Sequence, residues 1–307
     1  MSAAWVGATV RVRALAAGRA GPQGAARLAA TATLDEAAEL MRSWSYGARL
    51  EGPATPESLQ RAARETLLWQ LRVLAGWAPA SGTRLMRAAA ADFERDNILM
   101  RMRELRGGAR ERPYDLGAME TSWTLLSGAE GPDELRSLLG RSAWGEVPDE
   151  DEAQLADILA AVSLERRASA SPAARTWAAR GAALLAARIV AVDRTVPGAV
   201  LRRRLRPLLG GGWERVADLE SLATALPGRV ATVLDGVDGP HDLWRAESRH
   251  HALIEAEAAA QLRAGTARPE VVVAGIALLD VDAWRVQAAV AAVGSGRAGS
   301  EVLDAAA

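Results

Sequence analysis

The sequence predicts an all-α protein, and three observations carry that expectation. Ala, Leu, Arg and Glu, all strong helix formers, dominate the 307 residues, while ten Trp, two Tyr and one Phe are the only aromatic rings. Helix-start signals recur along the chain, and apolar residues follow them at helical rather than alternating spacing.

The elements follow in order. Gly18-Arg-Ala-Gly21-Pro-Gln-Gly24 resembles a glycine loop, but no strand precedes it, so it is expected to link two helices. Thr55-Pro56-Glu57 sets a capping Thr before a Pro suited to the first helical position. Leu59, Ala63, Leu67, Leu71 and Leu74 then share one helix face, with Arg61, Arg64 and Arg72 elsewhere. Pro148 and the run Asp149-Glu150-Asp151-Glu152 place acids where a helix dipole favours them, at an N-terminus. Ser171-Pro172 repeats the start signal ahead of Trp177, Leu184, Leu185 and Ile189. Val271-Val272-Val273 is β-branched, yet it lies between Pro269-Glu270 and an Ala- and Leu-rich run ending at Trp284, so a helix is expected. Breaks fall at Gly107-Gly108, Gly140 to Pro148, Gly210 to Gly212, Gly236 to Pro240 and Gly265 to Pro269.

Arg84 to Gly108, Arg180 to Gly210 and Val271 to Gly296 share a pattern of long apolar helix, acid (Asp96, Asp193, Asp282), more helix, then glycine. A weak threefold repeat follows, longer than the solenoid periods of about 20–50 residues. Trp44, Trp69, Trp123, Trp177, Trp244 and Trp284 lie in apolar helical contexts and are expected mostly in the core.

Composition removes several function classes. The 37 basic residues are all Arg, so no Walker-type phosphate loop or Schiff-base lysine is available. There is no Cys, which removes thiol catalysis and Cys-based zinc sites. A net charge of −1 gives no overall pull toward nucleic acid or an anionic membrane. No run approaches the roughly 20 apolar residues of a membrane span, and the first residues lack a signal-peptide pattern, so a cytoplasmic protein is expected.

The best metal candidate is Glu247-Ser-Arg-His250-His251-Ala-Leu-Ile-Glu255. A helical di-iron site needs a Glu-x-x-His on each of two helices, and no second one exists; neighbouring His side chains also diverge by about 100° on a helix. No metal, cofactor or catalytic residue is therefore expected. Leu201-Arg202-Arg203-Arg204-Leu205-Arg206 spreads guanidiniums around a helix with Leu201, Leu205 and Leu208 on one side. It suits docking onto an acidic surface; nucleic-acid binding or a regulatory scaffold is the alternative.

Four segments, in order, carry a family resemblance. They are the Arg-rich opening Val10-Arg-Val-Arg13-Ala-Leu15 and the helix from Leu40 closing on Tyr46-Gly47. The third runs from Phe93-Glu94 through Asn97 to Gly107-Gly108, with an acid three residues before Asn, and the fourth from Pro269 to Trp284-Arg285. The chain resembles the C-type (or d-type) central-stalk component of V-type and A-type rotary ATPases. The likeness covers the first 120 residues or so well and the last 40 or so moderately; in the middle, Val196 and Pro197 stand where the family has Asn.

The resemblance implies a non-catalytic, all-helical funnel of three similar subdomains, here 1–115, 116–212 and 213–307. It implies a central-stalk part that links rotor-ring membrane subunits to central-shaft subunits and transmits torque for proton or sodium transport. Such a part is peripheral to the membrane and inserts nothing into the bilayer. Arg101, Arg103, Arg202, Arg203 and Arg206 are its expected docking residues. Glu94 and Asn97 are expected to hold helices together, because a buried polar side chain is costly unless satisfied and so fixes register. Tyr46 and Gly47 belong to the same structural motif.

Overall fold

The computed structural model describes residues 3–148 and 152–295. Helix makes up 76% of it, and no strand forms among the described residues. In chain order the α-helices begin with α1 (Val6–Ala17), α2 (Gly21–Ala29), α3 (Leu34–Arg42), α4 (Pro56–Trp77), α5 (Thr83–Ala89) and α6 (Ala91–Leu105). Then come α7 (Trp123–Leu126), α8 (Pro132–Gly140), α9 (Glu152–Ala168), α10 (Pro172–Arg188) and α11 (Ala199–Leu209). The last are α12 (Leu219–Ala225), α13 (Gly228–Ala231), α14 (Leu243–Ala264) and α15 (Pro269–Ser295).

Local chemistry explains the starts. Thr55 Oγ1 accepts from Ser58 N at 3.2 Å, and Ser58 Oγ accepts from Thr55 N at 3.0 Å, closing a reciprocal cap on α4. Ser171 Oγ accepts from Ala174 N at 3.0 Å to open α10. The acids Asp149 to Asp151 lie outside the described residues; Glu152, which follows them, opens α9.

One sequence expectation needs correction, and one gains detail. Only residues 18–20 link α1 to α2. Gly21, at φ 68°, turns the chain directly into α2, whose first turn contains Pro22. The segment from Arg180 to Gly210 does run helix, acid, helix and glycine, but with a sharp break around the acid. At Ile189–Asp193 α10 widens into a π-turn, and Arg194 takes the left-handed conformation at φ 50° before α11 begins.

The chain divides into two compact units. One takes in Met1–Gly82 and Glu247–Ala307, the other Thr83–Ala246. The limits expected from the sequence are 115/116 and 212/213. In the first unit α15 lies along α1, α2, α3 and α4. Leu28, Met41, Leu59, Val286 and Val290 are fully buried there, each large aliphatic side chain contributing roughly 1.5–3 kcal/mol. Gly275 lets α15 approach α1, because a Cβ on it would press into both methyls of Val12. In the second unit α9 packs on α6, α10 and α11.

The Trp expectation is mostly overturned. Of those named, only Trp177 is buried, whereas Trp69 is 38% exposed and the others are intermediate. The other buried indoles are Trp5, Trp144 and Trp213, and the latter two plug the second unit from connecting segments. An indole is too wide for the narrow gap between Ala-rich helices, so it sits on a helix shoulder or fills a loop-covered hole.

Candidate docking surface and its polar anchors

In the first unit, buried Asp282 on α15 accepts from Ala20 N at 3.1 Å, Gly21 N at 2.7 Å and the Tyr46 hydroxyl at 2.7 Å. One carboxylate thus satisfies the start of α2 and the loop after α3 together, where orphan donors would otherwise be buried. Burial, then the neighbouring Asp282 charge, pushes the Tyr46 phenol well above its ordinary range. Gly47 is required because a Cβ would fall 2.6 Å from Arg42 Cα. Behind this anchor, Glu255 of α14 pairs with Arg285 at 2.5 Å and Arg19 at 3.2 Å. His251 stacks on Trp284 at 3.9 Å, and the Trp284 indole N–H donates to Glu247 Oε1 at 3.1 Å. These groups of the Glu247-to-Glu255 segment are therefore engaged with Arg and Trp. Among the described residues no group of three or more His, Cys, Asp or Glu could hold a metal ion.

In the second unit Glu94 plays the corresponding part. Its Oε1 accepts from Thr121 N, Ser122 N and Trp123 N at 2.8, 2.6 and 2.9 Å, capping α7. Its Oε2 accepts from the Thr121 hydroxyl and faces Arg166 Nη1 at 3.4 Å. Asn97 reads the backbone of Tyr114 in both directions, donating to its carbonyl at 2.9 Å and accepting its N–H at 2.7 Å. Arg166 lies 4.1 Å over the Trp144 ring, and burial lowers its pKa against the pull of Glu94. Arg204 completes the seam from α11, reaching Glu165 at 3.2 Å and the Trp144 carbonyl at 3.4 Å. Burial holds the Glu165 carboxyl above its ordinary range, with Arg204 opposing that shift.

The expected docking arginines fall into different environments. Arg101 is half-buried and committed inward, donating to Glu104 at 2.7 Å and to the Ala129 carbonyl at 2.5 Å. Arg103 is exposed and meets Glu111 at 2.8 Å and Glu152 at 3.7 Å. On α11, Arg203 faces Glu146 at 3.4 Å with both side chains largely in water, a pair worth about 0–1 kcal/mol. Arg202 is half-buried and Arg206 exposed; neither has an ion-pair partner among the described residues. The half-buried arginines that fasten the unit, Arg166 and Arg204, are ones sequence reasoning did not single out. The Arg-rich run gave Arg204 no distinguishing mark, since its partner Glu165 lies on another helix.

Sequence reasoning also missed a groove of about 870 Å³ beside the π-turn. Val190, Val196, Pro197, Val216 and Leu219 supply apolar lining, and Trp213 borders it. The Trp213 indole N–H is buried with no hydrogen-bond partner among the described residues, a state that costs about 1–3 kcal/mol if it stays unmet. Val196 is 82% exposed and Val192 52%. A π-turn followed by a left-handed Arg is the kind of irregular backbone that clusters at functional sites.

The chain matches no known protein-family model and no curated protein.

Proposed function

We propose that the chain is a central-stalk adaptor of a V-type or A-type rotary ATPase, seated between rotor-ring membrane subunits and the central shaft. The reading rests on the ordered motifs that resemble the C-type stalk component. What supports it is that these motifs supply the polar anchors of both units. Tyr46 bonds to Asp282 of the C-terminal motif, and Glu94 and Asn97 fasten the second unit. A torque-transmitting part needs stiff helix contacts and directional polar docking groups, not a reactive centre. The three-subdomain funnel and peripheral membrane association belong to the same proposal. No helix of the described residues is long and apolar enough to cross a membrane.

Docking is assigned to Arg202, Arg203 and Arg206 of α11, with Arg103 beside them in role. The reversal Arg203→Glu/Arg206→Glu is expected to leave the helical circular dichroism unchanged and to weaken assembly at least tenfold. The deciding experiment is a pull-down of the tagged chain from native membranes, with partners identified by mass. Recovery of rotor-ring and catalytic ATPase subunits supports the adaptor; a monomer free of membrane partners discards it. The rival nucleic-acid scaffold predicts steeply salt-dependent binding to DNA or RNA. It has fewer guanidiniums to draw on, because Arg204 is spent on Glu165.

A further inference from the structure

We propose that the groove beside the π-turn is a docking site for a basic amphipathic segment of a partner protein. The proposal goes beyond the adaptor reading and does not rest on it. The groove's chemistry has two layers. Its lining offers Val190, Val216 and Leu219, with Val196 at the rim. At 82% exposure Val196 leaves nearly its whole side chain in water, the condition an apolar anchor from a partner would relieve.

The charges are biased. Glu214, Asp218, Glu220 and Asp238 face the groove against only Arg194 and Arg215. Asp218 is occupied as the cap of α12, accepting from Ser221 N at 2.8 Å. The carboxylates of Glu214, Glu220 and Asp238 have no ion-pair partner among the described residues, and Glu220 and Asp238 are exposed. Such a rim attracts cationic side chains and repels acidic ones, while the apolar lining fixes what is attracted. The π-turn, left-handed Arg194 and the fixed φ of Pro197 shape the Val190-to-Pro197 rim.

The test uses the full chain and two synthetic peptides of roughly twelve residues, long enough for an amphipathic helix to lay one face in a groove. One alternates leucine pairs with lysine pairs; the other replaces every lysine with glutamate. Binding is followed by anisotropy of a terminal dye. The lysine peptide is expected to bind with Kd on the order of 10 μM at low salt, and the glutamate peptide at least tenfold more weakly. The variant Glu214→Gln/Glu220→Gln/Asp238→Asn should weaken the lysine peptide about tenfold and flatten its salt dependence. Val196→Ser should weaken it about threefold or more without altering the circular dichroism. No binding at about 1 mM overturns the proposal, as does equal binding by wild type and both variants. Loss in the amide variant with none in Val196→Ser also overturns it, because the contact would then be charge attraction alone.

Discussion

Asp282 and Glu94 each gather several donors on one carboxylate, so a change at either is felt by several partners at once. Glu94→Gln keeps the shape but removes the charge facing Arg166 and sets an amide against the Thr121 hydroxyl. It should cost about 2–4 kcal/mol, read as a lower midpoint in urea. Tyr46 gives a pH prediction. Its folded pKa is raised, so its contribution is fully present below the unfolded value of about 10 and is lost as pH climbs from there toward the folded value. Stability should thus be flat through neutral pH and fall in alkali, and Tyr46→Phe should remove much of that fall. A spectrophotometric titration at the phenolate band should show Tyr46 ionising only as the protein unfolds. Tyr46, Glu94 and Asn97 were legible in the sequence only through the motifs that carry the family resemblance. The partners of Glu94 and Asn97 did not stand out, because the backbone amides of Thr121, Ser122 and Trp123 and the Tyr114 backbone carry no mark in side-chain identity.

At the scale of elements, helix starts were the legible part. Thr55 and Ser171 act through side-chain bonds to residues three further on, an interaction contained in local sequence. The first turn of α2 and the π-turn were hidden. The former depends on the Asp282 carboxylate arriving from α15, and the latter on backbone geometry that no residue type dictates. Packing between α1 and α15 can be tested directly. Gly275→Ala gains helix propensity of about 1 kcal/mol but forces a methyl into Val12, and should destabilise by a net 1 kcal/mol or so. Val12→Ala alone opens a cavity in a fully buried site and should cost roughly 1–3 kcal/mol. Together the two should cost less than their sum, since the new methyl occupies the space Val12 leaves. Additive costs in the double-mutant cycle would show that the helices separate instead.

For the whole molecule, the longest-range fact is that the C-terminal helix completes the N-terminal unit. Nothing in residues 1–82 announces a missing element. Each apolar face there reads as an ordinary amphipathic helix, and only contacts far apart in sequence show that α15 fills the space among α1, α2, α3 and α4. The groove was illegible for the same reason, since it draws on segments near residues 190, 215 and 240. This topology makes a sharp prediction for a chain truncated before Pro269. Losing α15 exposes the faces that bury Leu28, Met41 and Leu59 and strips Tyr46 and the start of α2 of the Asp282 acceptor. The first unit should unfold, because the lost burial of many apolar side chains exceeds a typical stability of about 5–15 kcal/mol. Thr83–Ala246 keeps its own core around Ile98, Leu159, Leu205 and Trp213 and should remain folded. Hydrogen exchange read by mass spectrometry separates the outcomes. Protection should vanish from α1 to α4 and persist in α6, α9 and α10; loss in both sets would show that the second unit depends on the first.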